Sequence, residues 1–173
     1  MAVTCSFSYY LINFYVKYLP GNIYTNQTVN SWSECIAHLL SLWVLKLFSI
    51  KNGYFFSYLL CALSALVVIL SEYSGVEHLI PIAVLGAKAG ISVAFCFLYF
   101  TTVNYFESKY LGLVMGFSNV SGRMSTIAAP IVAELPDPVP MLSVIVLCFL
   151  SLIASHKLQL PSVPAQEVEL QKK

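Results

Sequence analysis

The sequence predicts an all-α membrane protein, a six-transmembrane-helix bundle over residues 1–156 followed by a polar tail over 157–173. Three observations lead there. Of the 173 residues, 58% are hydrophobic and only 10% charged, with a mean hydropathy of +0.78; soluble domains carry less apolar and more charged sequence than this. Six apolar segments can be marked, at about 5–22, 27–48, 54–72, 79–103, 111–133 and 139–156, each near the roughly 20 residues that cross a bilayer core. The connections between them are short and carry the breakers Pro20-Gly21, Asn52-Gly53, Ser74-Gly75 with Pro81 beyond, and Pro136-Asp137-Pro138 with Pro140.

The first segment opens without a basic stretch or a small-residue cleavage site, so it is not expected to be a removable signal. It carries Asn13 and Lys17 among Tyr9, Tyr10, Phe14 and Tyr15. Tyrosines near span ends usually form an interfacial belt, and Lys17, like Lys46, sits where a lysine can snorkel to the interface. The second segment carries Glu34 and His38, four apart and therefore on one helical face. In the fourth, Lys88 lies between Gly86 and Gly90, and Ala94 continues a stripe of small residues that invites close helix packing.

The fifth segment is the most costly to place in lipid, because Arg123 lies near its middle. A mid-bilayer arginine costs from roughly 3 kcal/mol on insertion scales to more than about 10 in simulations, so it normally faces protein, water or substrate. Asn119 shares its face, Gly112 and Gly116 form a second expected close-packing pair, and Pro130 predicts a kink. Glu34, His38 or the carboxylate of a substrate are the candidate partners of Arg123. The five cysteines, Cys5, Cys35, Cys61, Cys96 and Cys148, all fall in apolar segments without close pairs, and read as buried small hydrophobes rather than a disulfide or zinc framework.

Basic residues orient the bundle, since short cytoplasmic loops are enriched in Lys and Arg. Lys46, Lys51, Lys109, Lys157, Lys172 and Lys173 fall on one side, while Glu72, Glu77, Glu134 and Asp137 fall on the other. Both termini are therefore expected in the cytoplasm. Asn26-Gln27-Thr28 is an acceptor sequon on the outer side, but it abuts the second span, which argues against glycosylation. The tail from Pro161 is polar and expected to be disordered. A net charge of +1 argues against nucleic acid as a partner. Glu34 and His38 lack the second histidine of a helical zinc-protease motif, and no Gly-x-Ser-x-Gly elbow or grouped cofactor ligands occur. No catalytic residue, metal or cofactor is expected.

Several short matches together make the chain resemble the carboxy-terminal half of organic cation and carnitine transporters of the major facilitator superfamily. Tyr9-Tyr10, Gly21-Asn22-Ile23-Tyr24, Asn26 and Glu34 resemble that family's seventh and eighth helices. Gly86 with Lys88-Ala89-Gly90-Ile91-Ser92 and Ala94-Phe95 is similar to the start of its tenth helix, Arg123 through Ala129-Pro130 to its eleventh, and Leu160-Pro161 to the end of its twelfth. Two stretches depart from the pattern. The family's loop with paired arginines is reduced here to Lys46 and Lys51 before Asn52-Gly53, and Asn104 stands where the family has a glutamate, followed by Tyr105 to Lys109 in a shorter loop.

The resemblance implies one half of a major facilitator fold in the plasma membrane, working by alternating access with an amino-terminal half or a second copy as its partner. It implies a small organic ion as substrate. Arginine at the position of Arg123 goes with the family's anion and carnitine transporters, and a guanidinium forks onto a carboxylate. Glu34 with Tyr9, Tyr10 and Phe14 would suit a quaternary ammonium through cation–π contact. Lys88, Asn13, His38 and Asn119 complete the expected substrate set, and Lys46, Lys51, Glu107 and Lys109 the expected cytoplasmic gating loops. A truncated half-transporter that only partners another membrane bundle is the competing expectation.

Overall fold

The computed structural model describes residues 1–18, 23–47, 50–75, 79–136 and 138–157. The Pro20-Gly21 turn with Asn22, Glu77, Asp137, the Leu160-Pro161 match and the tail with Lys172 and Lys173 lie outside the described residues, as do the side chains of Asn26 and Lys46. The described chain is helical throughout, with helices α1 (Ala2–Tyr15), α2 (Ile23–Leu47), α3 (Ile50–Ser74), α4 (Leu79–Tyr105), α5 (Ser108–Thr126), α6 (Ala128–Ala133) and α7 (Val139–His156).

Three of these, α3, α4 and α7, are long and apolar enough to cross a membrane. Each of the other three apolar segments departs from that standard for its own reason. α1 has only 14 residues, though the 3₁₀ turn Val16–Tyr18 extends it to roughly 27 Å at 1.5 and 2 Å per residue. α2 is 25 residues long but carries Asn30, Glu34 and His38. The fifth segment is split. Pro130 has no N–H to offer the Thr126 carbonyl one turn back, and the helix breaks at Ile127 between α5 and α6. Ile127 itself keeps helical backbone angles (φ −64, ψ −34), so the expected kink is reduced to a one-residue interruption of the hydrogen-bond ladder.

One expected connection differs. Asn52-Gly53 is not a loop but lies within the first turn of α3, where helix geometry tolerates it and where the absence of a Cβ on Gly53 lets the Phe97 ring of α4 seat against the backbone. At the other end of α3, Gly75 has φ +70, the left-handed residue that commonly ends a helix. Thr28 bonds the Tyr24 carbonyl at 2.8 Å, so the sequon lies inside α2 rather than in a loop.

Three long-range hydrogen bonds fix how the helices run. Tyr15 donates to Glu72 at 2.6 Å, joining the C-terminal ends of α1 and α3. Tyr54 donates to Thr101 at 3.2 Å, joining the start of α3 to the end of α4. Ser151 donates to Thr4 at 2.7 Å, joining the end of α7 to the start of α1. Successive segments are thus antiparallel.

The packing has an internal symmetry. Divide the chain into α1–α3 and α4–α7: the first helix of each half packs on the second segment of the other, α1 on α5 and α4 on α2, while the third segments, α3 and α7, pack on each other. With an odd number of segments per half, the second half runs opposite to the first. Small residues allow the closest approach. A Cβ on Gly90 would lie 2.8 Å from the Ser57 carbonyl oxygen and 2.9 Å from the Cys61 nitrogen, so α3 and α4 meet nearly backbone to backbone, as helices in lipid do where van der Waals contact drives association. Ala65, Ala87 and Ala94 are buried in the same seam. Gly112 and Gly116 do not behave this way: a Cβ on either meets nothing within 4 Å. The expected close-packing pair is instead an open face of α5, because the same spacing of glycines results whether a helix face is covered or bare.

Candidate functional site

The site forms where α4 crosses α1 and α2. Lys88 points into the bundle and is 1% exposed. Its Nζ lies 3.2 Å from Glu34 Oε2, donates to Asn13 Oδ1, and sits 5.1 Å from the centroid of the Tyr9 ring. Glu34 is held from a second side by the Tyr9 hydroxyl, which donates to Oε1. Asn30 donates to Asn13 at 3.1 Å, tying α2 to α1 one turn away. A buried cation of this kind is tolerated only when paired and hydrogen-bonded, and every one of those requirements is met by residues from α1 and α2.

Beside the ion pair lies a cavity of about 290 Å³ lined by Tyr9, Tyr10, Glu34, His38, Ser92, Phe95, Cys96 and Tyr99. Its aromatic wall is continuous: Tyr9 meets Tyr10 and Phe95 edge-on at 5.5 and 5.9 Å, and Phe95 stacks on Tyr99 at 5.9 Å. The carboxylate of Glu34, 23% exposed, is the charged group at its edge. A cavity of this size is at the lower limit for organic ligands, so it suits a small one. Its contents are legible as one face of α4: Lys88, Ser92, Phe95 and Tyr99 recur at steps of three and four.

The structure brings together six of the nine residues expected to bind substrate: Lys88, Glu34, Tyr9, Tyr10, Asn13 and His38. Phe14 is not among them; it is 44% exposed, being one position, about 100° around the helix, past Asn13, which is the residue turned to Lys88. Asn119 accepts a bond from Tyr99 at 3.4 Å but does not line the cavity; it faces a separate, smaller pocket with Ser6 and Met115. Arg123 does not pair with Glu34, whose charge is already taken by Lys88. Among the described residues it has no ion pair or side-chain hydrogen bond, and it lies exposed on the same face of α5 as Asn119, Gly112 and Gly116. At 1.5 Å per residue, Arg123 lies about 22 Å from the start of α5 and Lys88 about 25 Å from the end of antiparallel α4. The two cations are therefore at comparable distances along their helices from the α4–α5 connection.

Of the expected gating residues, Lys51, Glu107 and Lys109 are exposed at one end of the bundle, in the first turn of α3 and the α4–α5 connection. Glu107 caps α5 only through its backbone carbonyl, which accepts from Leu111 at 3.0 Å, and Lys109 lies over its neighbour Tyr110 at 5.7 Å. Among the described residues they form no ion pair.

Two lining residues escape a reading of charges and motifs. Ser92 is fully buried, and its hydroxyl has no hydrogen-bond partner among the described residues. Cys96 lies one turn further along α4, its Sγ 3.1 Å from His38 Nδ1. Cys5, Cys61 and Cys148 are buried as expected, but Cys35 is exposed. Among the described residues no cluster of His, Cys, Asp and Glu can hold a metal. No protein-family model and no curated protein matches the chain.

Proposed function

We propose that the chain is one wall of a secondary transporter of the major facilitator type, with its six helical segments in the plasma membrane and both ends cytoplasmic, and that it handles a small organic anion or carnitine-like zwitterion. The observation that carries this reading is the Lys88–Glu34 pair, set deep between three helices and opening onto an aromatic-lined cavity. Intramembrane ion pairs are expensive and mark substrate or ion paths. Such a pair exchanges partners: an incoming ammonium competes with Lys88 for Glu34 and lies against Tyr9, Tyr10, Phe95 and Tyr99, while an incoming carboxylate competes with Glu34 for Lys88 or is met by Arg123 at a comparable distance from the α4–α5 connection.

The exchange of packing partners between two oppositely running halves supports the fold assignment, since transporters of this kind are built from inverted three-helix repeats around a midplane site. The lysines at one end of the bundle, Lys51, Lys109 and Lys157, support the orientation.

A second reading, a half-bundle that partners another membrane protein without transport, is favoured by one observation: the α5 face with Gly112, Gly116 and Arg123 is exposed and uncovered among the described residues. Uptake of a panel of labelled organic anions, cations and zwitterions in cells lacking endogenous uptake separates the two. Saturable uptake that falls to background with Arg123→Ala for carboxylate substrates supports transport. Background uptake of the whole panel supports the bundle-partner reading.

A further inference from the structure

The α2–α4 wall of the cavity holds an arrangement that ion exchange does not use. His38 Nδ1 lies 3.1 Å from Cys96 Sγ, and Nε2 of the same ring lies 3.7 Å from Glu34 Oε1. Thiol, imidazole and carboxylate are therefore arranged in sequence, which is how a cysteine is activated: the base takes the thiol proton and the carboxylate stabilises the resulting imidazolium. Glu34 is also approached by the Tyr9 hydroxyl from α1 and the Lys88 ammonium from α4, which hold it as a fixed anion beside the ring. One turn before Cys96, the buried and unpartnered Ser92 hydroxyl lines the same cavity. An orphaned donor at that position has a ligand oxygen as its natural partner.

We infer that Cys96 is a cavity-facing nucleophile, activated by His38, that takes a small uncharged α,β-unsaturated carbonyl compound as a covalent ligand, with Ser92 holding the carbonyl oxygen. The thiol proton passes to His38 Nδ1, and the sulfur lone pair forms a C–S bond to the β-carbon. The C=C π electrons shift to the α-carbon and the carbonyl oxygen, where the Ser92 hydroxyl donates. The α-carbon then takes the proton back from His38. The net change is addition of S–H across the double bond, with no leaving group and no oxidant. A ligand attached there fills the cavity beside Glu34. The inference does not depend on transport.

The chain contains its own control. Cys35 is exposed on α2 and has no hydrogen-bond partner among the described residues, whereas Cys96 is only partly exposed. Exposure alone makes Cys35 the faster thiol. Activation makes it Cys96, because the imidazole in contact takes the thiol proton as the sulfur attacks, and a positioned base of that kind commonly speeds such a step by about a hundredfold or more.

The test is N-ethylmaleimide labelling of the intact chain in phosphatidylcholine nanodiscs, with site-resolved rates from peptide mass spectrometry. Cys96 is expected to label at least about tenfold faster than Cys35. His38→Asn is expected to slow Cys96 about tenfold and leave Cys35 unchanged, continued protection of the buried Cys61 and Cys148 serving as the check that the bundle is intact. Ser92→Ala is expected to slow Cys96 toward the maleimide but not toward iodoacetamide, whose displacement of iodide builds no charge on a carbonyl oxygen. Labelling of Cys96 no faster than Cys35, or a Cys96 rate indifferent to His38→Asn, overturns the inference.

Discussion

Replacing Lys88 by Met keeps a long unbranched stem while removing the charge that faces Glu34. The wild-type ammonium is 1% exposed, lies 3.2 Å from the carboxylate and sits over the Tyr9 ring. Breaking a buried pair by removing one partner costs about 3–5 kcal/mol, most of it the penalty of stranding the other charge. Glu34 is not fully stranded, because it is 23% exposed toward the cavity and retains the Tyr9 hydroxyl, so the loss belongs at the low end, about 3 kcal/mol. Glu34→Gln strands the more deeply buried partner and is expected to cost at least as much. The double variant Lys88→Met/Glu34→Gln removes both charges and is expected to recover a coupling energy of about 2–3 kcal/mol relative to the sum of the singles. Reversible unfolding in mixed detergent micelles measures all four proteins. Single-variant losses that simply add, within about 0.5 kcal/mol, would refute the pairing.

Three further outcomes follow from the packing. Gly90→Ala places a methyl against the α3 backbone, which cannot swing aside as a side chain can, and is expected to destabilise by about 1–3 kcal/mol; Gly112→Ala, on the open face, is expected to be neutral or to stabilise by up to about 1 kcal/mol through helix propensity. Melting temperatures in one detergent compare the two. Arg123→Ala is expected to change bundle stability by less than about 0.5 kcal/mol, since an exposed side chain without a described partner contributes little, while abolishing uptake of carboxylate substrates by a complete transporter. Pro130→Ala restores a donor for the Thr126 carbonyl and is expected to close the hydrogen-bond ladder between α5 and α6 across Ile127, read as a protected amide at position 130 in hydrogen exchange.

Hydropathy located all six helical segments, because apolar length is what lipid selects. It misplaced their ends. α3 begins at Ile50 rather than near residue 54 and α4 runs on to Tyr105, since backbone hydrogen bonding carries a helix through polar residues where the apolar run has already ended. The face carrying Glu34 and His38 was also legible, as a spacing of four fixes it. The partner of Glu34 was not. Lys88 and Arg123 offer the same charge, and only the packing of α4 against α2 decides that Lys88 takes the inner position. Gly112 and Gly116 misled for the corresponding reason, that small residues carry no mark of which face is covered. Cys96 and Ser92 were hidden by their chemistry: neither is charged, and each reads as a small packing residue until the structure places one beside an imidazole and leaves the other without a partner.

On the proposed function, the Lys88–Glu34 pair exchanges partners with a small organic ion. Equilibrium binding of a labelled carboxylate-bearing quaternary ammonium to the purified chain in phosphatidylcholine nanodiscs tests it directly. Saturable binding to the wild-type chain, competed by unlabelled ligand, is expected, with a loss of at least about tenfold in affinity with Glu34→Gln, the equivalent of roughly 1.4 kcal/mol. Equal binding by wild type and Glu34→Gln, or no saturable binding by either while Lys88→Met/Glu34→Gln remains folded, would contradict it.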